Sequence, residues 1–248
     1  MMIPKLVALA AVSTSLVVVT PAFADEPFGA TGQVILSGER MFGLSFPREM
    51  MEDGATGTKT TDSRTNIALL WPSLPVLTLE PYGIPRAAVD FSVASGFTVG
   101  GSIGFFSGTG STKREPAAGG VSVETDDPTV TMFTFAPRVG YALPLAPQFA
   151  FWPRAGVTYY NIGVSSTNTA NPPVTNKTTL SGFGIDLEPM FVFTPVPHFG
   201  ITASPVVDIP VSGTSHSERT PPGTNPPPID DKVKFLNFGL TFGLLGYF

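Results

Sequence analysis

Hydrophobic and small uncharged residues alternate through the end of the chain, from Leu236 to Phe248. Counted back from Phe248, every second residue is Phe, Leu or Gly, and none of the residues between them carries a charge. A half-buried strand of a soluble protein presents a polar face to water, so this pattern indicates a different environment. Strands with one face towards lipid and the other towards a barrel lumen show it. The segment therefore predicts a transmembrane β-strand.

Eight segments in all repeat a period of two between turn residues, and each is a predicted strand. They span residues 33–46, 85–93, 97–107, 129–143, 149–163, 179–194, 199–211 and 232–248. The connections alternate in length, with long ones at 47–84, 108–128, 164–178 and 212–231 and short ones at 94–96, 144–148 and 195–198. We therefore expect regular reversals of chain direction, with long connections at one end of the strands and short ones at the other.

This arrangement is typical of outer-membrane barrels, in which short periplasmic turns alternate with long extracellular loops and the strand number is even. The sequence thus predicts an all-β fold, an eight-stranded antiparallel transmembrane β-barrel. A ten-stranded count, with 66–71 and 76–80 as further strands, stays open. The rival fold is a soluble, secreted β-sandwich, which the apolar outward faces disfavour.

Most charged residues fall in the four long connections. Eight lie on predicted strands in the inward-facing phase, where we expect a lumen charge network: Glu39, Arg86, Asp90, Arg138, Arg154, Asp186, Glu188 and Asp208. Arg40 falls in the lipid-facing phase, where a charge near mid-membrane costs about 2–4 kcal/mol. A β-bulge near Gly38 would turn Arg40 inward. Lys232 and Lys234, at the outer end of the last strand, are placed to meet lipopolysaccharide phosphates.

The interior of an eight-stranded barrel is wide enough only for its own side chains or a small ligand. Three arginines and five carboxylates therefore predict a salt-bridged plug instead of an open pore. Large side chains accompany them in the inward phase: Phe106, Met132, Trp152, Tyr160 and Met190. In this interpretation Arg138 and Arg154 are structural counter-ions. The alternative is a narrow path for a small solute, with the same charges as its gate.

Four prolines occupy predicted strands in the outward phase: Pro137, Pro153, Pro189 and Pro205. Proline removes a ladder donor, and a closed barrel has no free edge on which to accommodate it. We expect local bulges or kinks at these positions.

The amino terminus and the composition agree with a membrane barrel. Lys5, the apolar stretch 6–19 and the small-x-small site Ala22-Phe23-Ala24 predict a cleaved signal peptide at 1–24 and a barrel domain at 25–248. Charged residues make up 13% of the chain, against roughly a quarter in soluble domains. Cysteine is absent, which excludes disulfides and thiolate metal sites. The net charge of −5 argues against nucleic acid as a partner.

Residue patterns for catalysis or metal binding are sparse. The two histidines are His198, in a predicted turn, and His216, in a loop. The stretch Ser215-His-Ser-Glu218 carries the residue types of a catalytic triad, but a triad is defined by geometry and not by proximity in sequence. Two acidic clusters lack the ligand spacing of a calcium site: Glu124, Asp126 and Asp127, and Asp230 and Asp231. We expect no catalytic activity, no cofactor and no metal; a lipid-modifying enzyme that uses His216 is a further alternative.

The signal peptide, the rhythm of strands and loops, and the terminal aromatic Phe248 together resemble the small outer-membrane barrels of the OmpA membrane-domain, OmpX and OmpW type. The resemblance implies residence in the bacterial outer membrane, contact with its lipids and lipopolysaccharide, and Phe248 as an assembly signal for the barrel-assembly machinery. We expect a monomer with a structural or surface-interaction role through its long loops. OmpW-type proteins are thought to pass small hydrophobic compounds, which gives the transport alternative a class of solute.

Overall fold

The computed structural model describes residues 26–69, 81–114, 123–167, 174–220 and 230–248, so the predicted signal peptide lies outside the described residues. In chain order the strands are β1 (Val34–Ser45), β2 (Arg48–Glu52), β3 (Lys59–Ser63), β4 (Asn66–Leu69), β5 (Arg86–Ala94), β6 (Phe97–Gly108), β7 (Ser111–Arg114), β8 (Val123–Asp126), β9 (Thr129–Tyr141), β10 (Leu143–Ala146), β11 (Phe149–Thr167), β12 (Thr175–Val196), β13 (Phe199–Thr220) and β14 (Asp230–Tyr247). No described helix is long and apolar enough to cross a bilayer.

Eight of these strands form a closed antiparallel ring in the order β1, β5, β6, β9, β11, β12, β13 and β14. The seam lies between β14 and β1, where Ile35 is opposite Tyr247. The N–H of Phe248 donates to the Val34 carbonyl at 3.0 Å, and the Val34 N–H donates to the Phe248 carbonyl at 2.9 Å. The predicted eight-stranded antiparallel barrel is confirmed, and the closed ring excludes the β-sandwich.

The ten-stranded count is wrong, because the ring closes with eight strands. Residues 66–69 form the short β4, which pairs with residues 42–45 at the end of β1 and is not a further strand of the ring. Residues 76–80 lie outside the described residues. We call the end of the barrel with the short connections and Phe248 the turn end, and the opposite end the loop end.

At the loop end several strands continue past their predicted boundaries. β11 runs to Thr167, β12 begins at Thr175 and β13 runs to Thr220, so parts of the predicted loops 164–178 and 212–231 are strand. These additions are rich in Thr and Ser; β-branched Thr favours strands, but the segments lack the apolar alternation that marks a membrane span. Within the predicted first loop, β2 and β3 form a hairpin, and β2 continues the wall beside β14.

Arg40 faces the lumen and not the lipid, although its strand phase alone indicated the lipid-facing side. Between Gly38 and Phe42 the pairing of β1 with β14 shifts register, from Gly38 opposite Leu244 to Phe42 opposite Phe242. Arg40 lies inside this bulge with φ of 53°. The left-handed backbone reverses the side chain, which points into the lumen and is 4% exposed. The bulge near Gly38 that the sequence required for an inward Arg40 is therefore present.

The four strand prolines do not produce the expected bulges. Between β9 and β11, pairing stops after Gly156 opposite Arg138 and resumes at Tyr159 opposite Phe135. The register is the same on both sides of the gap, which spans Pro137. A similar gap between β12 and β13 spans Pro189 and Pro205. The barrel thus tolerates these prolines by interrupting the hydrogen-bond ladder locally, and the inward and outward phase is the same on both sides of each gap.

The outward side chains form an apolar band around the barrel. Its loop-end edge carries a girdle of exposed aromatic side chains, the loop-end girdle: Phe46, Phe105, Phe133, Phe183 and Phe238. Its turn-end edge carries a second one: Phe97, Tyr141, Phe149, Phe191, Phe199 and Phe248. Soluble monomers rarely expose apolar patches of this extent, and paired aromatic girdles mark the two interfaces of a membrane barrel.

Candidate functional site

The inward side chains fill the lumen in three layers. The turn-end cluster consists of Phe28, Ile35, Ala142, Ala150, Trp152, Met190, Val192, Leu245 and Tyr247. The loop-end cluster consists of Tyr82, Ile84, Phe106, Val130, Met132, Tyr160, Ile162, Leu180, Val233 and Phe235. Between them lies the charge layer, whose members are all buried: Glu39, Arg40, Arg86, Asp90, Arg138, Arg154, Asp186, Glu188 and Asp208. The structure thus brings together all eight residues of the predicted lumen network and adds Arg40.

Arg138 is held on two sides. Its Nη1 and Nη2 donate to the two carboxylate oxygens of Glu39 at 2.6 and 2.8 Å, and its Nε donates to Asp90 Oδ1 at 2.9 Å. Arg138 and Asp90 lie on β9 and β5, with Gly100 of β6 opposite both. A Cβ on Gly100 would come within 2.4 Å of Asp90 Oδ1, so the missing side chain leaves room for this ion pair.

Arg154 joins the same group from β11. Its Nη1 donates to Glu39 Oε1 at 2.6 Å, so Glu39 accepts from two guanidinium groups. Its Nη2 donates to Glu188, which lies directly opposite on β12. The guanidinium carbon is 4.6 Å from the centroid of the Trp152 ring, which belongs to the turn-end cluster. Arg154 therefore connects the charge layer to the apolar layer beneath it.

Arg40 connects the layer to the loop-end cluster. Its Nη2 donates to Glu188 at 2.8 Å and to Asp208 at 2.9 Å, and its Nη1 donates to the other Asp208 oxygen at 3.1 Å. Nη1 also donates to the backbone carbonyl of Tyr82 at 2.8 Å. Asn237 completes the surroundings of Asp208 with a hydrogen bond of 2.7 Å. The bulge in β1 thus supplies the cation that Asp208 and Glu188 need.

Arg86 is the least satisfied cation of the layer. Its Nη1 lies 3.3 Å from Thr158 Oγ1 and 3.6 Å from Asp186 Oδ2. Its Nε and Nη2, and Oδ1 of Asp186, make no hydrogen bond within the described part of the chain. A cavity of about 10 Å³ adjoins Arg86, Asp186 and Ser102. A site of this size and polarity holds about one water, which has both the donors and the acceptors required.

The layer contains five carboxylates and four guanidinium groups. In a low-dielectric interior each unpaired charge is costly, so charges of both signs at this density hold one another in place. The arrangement leaves no continuous opening between the two apolar clusters in the described residues, since all nine charged side chains are buried. Its chemistry is that of a buried ionic network, in which carboxylates and guanidinium groups neutralise one another.

Phe28, a residue outside the barrel wall, contributes to the turn-end cluster. Its ring makes edge-on contacts with Trp152 and Tyr247, at centroid distances of 5.2 and 5.6 Å. The turn that follows is fixed by Gln33, whose Oε1 accepts from Gly29 N at 2.8 Å. The N–H of Gly96 also donates to the Gly29 carbonyl at 3.0 Å. Sequence reasoning missed Phe28 because a single aromatic residue before a strand carries no periodic signal.

Tyr82 and Ile84 close the loop end in the same way. Both precede β5, yet their side chains are buried inside the barrel. The Tyr82 ring meets Tyr160 edge-on at 6.0 Å, and a Cβ on Gly184 would collide with the Tyr82 hydroxyl at 2.3 Å. Sequence reasoning placed this segment in the first long loop, and the Tyr-Gly-Ile sequence alone does not indicate that it folds inward.

The histidines do not form a catalytic pair with a serine. His216 Nδ1 is 2.7 Å from Asp230 Oδ1, and its Nε2 is 3.3 Å from Glu218 Oε1, so both ring nitrogens face carboxylates. The hydrogen bond to Asp230 is the main cause that raises the pKa of His216 above its usual value. His198 Nδ1 lies 2.8 Å from the Tyr247 carbonyl, and its ring stacks on Phe248 at 6.1 Å.

The described side chains of the acidic clusters do not converge on a metal site. Among the described residues no group of three or more His, Asp or Glu side chains is placed to hold a metal ion. The side chain of Glu124 lies outside those described. Asp231 accepts a hydrogen bond from the Gly54 backbone at 2.8 Å, and so fixes the β2–β3 hairpin to β14.

Several solved structures resemble this chain. OprG, an outer membrane protein from Pseudomonas aeruginosa, matches with a TM-score of 0.55 at 12% identity, over 88% of this chain and 97% of that chain. Ail, the attachment invasion locus protein of Yersinia pestis, has a TM-score of 0.34 at 11% identity, over 87% and 99%. The outer membrane protease OmpT from Escherichia coli has a TM-score of 0.46 at 11% identity, over 92% and 99%.

No protein-family model matches the sequence, and no curated protein matches it. The match to OprG therefore supports the fold and not a particular activity. It agrees with the closed eight-stranded ring, the apolar band and the seam at Phe248. The chain has the fold of the small outer-membrane β-barrel proteins, as its resemblance to that class predicted.

Proposed function

We propose that this protein is an integral barrel of the bacterial outer membrane with a sealed lumen, and that it has a structural or surface-interaction role through its loop end. The observation that carries this proposal is the three-layer filling of the lumen. Two apolar clusters enclose a buried ionic layer, and the cavity beside Arg86 holds about one water. A solute would have to displace both apolar clusters and break several buried ion pairs.

The loop end offers the surface for such a role. β11, β12 and β13 and the β2–β3 hairpin continue past the loop-end girdle, so paired strands project beyond the apolar band. The projecting faces carry Thr, Ser and charged side chains, and most of the hairpin is exposed or half-buried. Surfaces carried on a rigid scaffold are where binding residues concentrate.

A narrow transport path is the second candidate, and one observation favours it. The apolar clusters each depend on residues outside the barrel wall: Phe28 at the turn end, and Tyr82 and Ile84 at the loop end. Such segments can move without opening the hydrogen-bonded ring. Movement of both segments would still leave the charge layer in place, which disfavours hydrophobic solutes.

We propose no catalytic activity for this barrel. A lipid-modifying enzyme needs a base beside its nucleophile, and both nitrogens of His216 face carboxylates. On this account His216→Ala leaves the lipid A profile of the producing cells unchanged. A changed profile would favour the enzyme.

Solute flux through proteoliposomes tests the proposal. We expect vesicles that contain the refolded barrel to retain small sugars, amino acids and small hydrophobic compounds as well as protein-free vesicles do. Retention by the wild type would support a sealed lumen, and leakage through a Phe28→Ala, Tyr82→Ala variant would show that the two apolar clusters contribute to the seal. Saturable uptake by the wild type would favour the transport candidate instead.

A further inference from the structure

A group of cations lies on the outer face of the barrel at the loop end, across the seam between β14 and β2. The outward phase of β14 runs through Phe238 and Leu236 to Lys234 and Lys232. β2 lies beside it, with Arg48 opposite Leu236 and Met50 opposite Lys234. Arg48 and Lys234 are therefore diagonal neighbours on one face. The Cα atoms of such neighbours in an antiparallel pair of strands are about 7–8 Å apart.

Among the described residues these two cations have no counter-ion. Lys232 reaches Glu52 at 3.6 Å, and Lys59 of β3 lies opposite the same glutamate. Arg48 and Lys234 form no ion pair with any described residue, and both are exposed. The neighbouring Asp231 is engaged with the Gly54 backbone. The face thus keeps two adjacent positive charges available for an external ligand.

Their height on the barrel identifies the environment of that ligand. Phe46 donates its backbone N–H to the Phe238 carbonyl at 2.8 Å, so these two residues are level across the seam. Their side chains are 43% and 55% exposed and belong to the loop-end girdle. Arg48 lies two residues beyond Phe46, and Lys234 four residues beyond Phe238. Aromatic girdles lie at the level of lipid headgroups, so the cations face the headgroup layer.

We propose that Arg48 and Lys234 form a binding site for the phosphate groups of lipid A in the outer leaflet, and that the acyl chains of that lipid pack on the band around Phe46 and Phe238. The assignment of leaflet and lipid rests on the proposed outer-membrane function. Arginine binds phosphate oxygens through two parallel N–H groups, and lysine adds a compact charge. Lys232 at the edge of the site is partly neutralised by Glu52.

Titration of the refolded barrel with lipid A in neutral detergent tests the site. We expect Arg48→Gln, Lys234→Gln to weaken binding about thirtyfold. Each basic side chain near an anionic lipid surface strengthens binding roughly five- to sixfold, and the two effects multiply. The matched control is Lys177→Gln, Arg219→Gln, which removes the same charge from the ends of β12 and β13 and is expected to bind like the wild type. Dephosphorylated lipid A is expected to bind as weakly as the double variant does.

Three results would overturn the site. These are equal binding by the double variant, equal binding of dephosphorylated lipid A, and full competition by millimolar inorganic phosphate, which would indicate a free-anion site. Heat-modifiable migration on gels confirms that each variant is folded. Failure of lipid binding by a folded barrel leaves the proposed function intact, whereas recovery of the protein outside the outer-membrane fraction would contradict that function regardless of lipid binding.

Discussion

At the residue scale, Arg40 joins three separate parts of the molecule. It extends from the bulge in β1 to carboxylates on β12 and β13, and it holds the Tyr82 carbonyl of the segment that closes the loop end. All of its partners are buried, so the loss of this one side chain lowers stability more than the loss of a surface ion pair would. Removal of one partner from a buried pair leaves an uncompensated charge behind.

Arg40→Met therefore destabilises the barrel strongly. Glu188 keeps Arg154, but Asp208 loses both guanidinium hydrogen bonds and remains buried. We expect the free energy of unfolding to fall by about 3–5 kcal/mol, measured by urea unfolding in lipid vesicles. Lys177→Met is the control, because this exposed lysine is expected to change stability by about 0.5 kcal/mol or less. A loss for Arg40→Met as small as that of the control would contradict the role assigned to Arg40.

His216 gives the loop-end extension a dependence on pH. Its pKa in the folded protein is raised above 6.5, chiefly by the hydrogen bond to Asp230. The stabilisation from charged His216 is therefore fully present below the unfolded pKa, and it is lost as pH rises through the folded pKa. We expect amide hydrogen exchange near His216 and Asp230, corrected for intrinsic rates, to be slower at about pH 5.5 than at about pH 8.5. His216→Gln should abolish the difference, and a difference that persists in this variant would refute the assignment.

The sequence predicted which residues face the lumen but not how they pair. A period of two gives the side of the sheet, and all eight predicted charges are buried inside. The height of each side chain depends on the stagger between strands, so the pairing of Arg138 with Glu39 across the lumen was not available from sequence. Arg40 was left outside the predicted network for a different reason, since its strand phase faces the lipid and only the bulge near Gly38 turns it inward.

At the element scale, the segment before β1 acts as a plug held by a tight turn. Gly29 and Gly32 both have left-handed backbones, with φ of 88° and 91°. They differ in their surroundings, because a Cβ on Gly29 would lie 2.5 Å from the Cβ of Ala142, whereas one on Gly32 would meet nothing within 4 Å. Substitutions at these two glycines therefore separate the cost of backbone strain, which both share, from the cost of packing against Ala142, which only Gly29 has.

Gly32→Ala is expected to cost about 1–2 kcal/mol of stability from the left-handed conformation alone. Gly29→Ala is expected to cost a further 1–3 kcal/mol or so, because the plug must shift away from Ala142. The shift also moves Phe28, so in a Trp71→Phe background acrylamide quenching of Trp152 fluorescence should rise in Gly29→Ala and stay near the unsubstituted value in Gly32→Ala. Equal effects of the two substitutions would show that the turn does not position the plug.

The elements themselves were predictable to different degrees. The eight strands of the ring were found because a lipid-facing phase leaves a strong apolar alternation. The extensions of β11, β12 and β13 were assigned to loops, since strands above a membrane have water on their outer face and no uniform apolar phase. The β2–β3 hairpin escaped for the same reason, because charged residues and Thr dominate both of its sides and only Met50 and Met51 are apolar.

At the scale of the whole molecule, the lumen is divided into layers of opposite character. An apolar cluster excludes ions at each end, and the charge layer excludes apolar solutes in the middle. The two kinds of barrier oppose different solutes, and on the proposed function they together close the barrel to both. In the proposed function the long strands present the interaction surface at the loop end, supported by a closed ring.

Ion conductance of the refolded protein in a planar bilayer tests the sealed lumen most directly, with folding confirmed by heat-modifiable migration. We predict a silent bilayer at moderate voltage, because ions must cross two apolar clusters and an ionic layer with room for about one water. Discrete, reproducible channel openings by the folded wild-type barrel would contradict a sealed lumen and make the charge layer a gate.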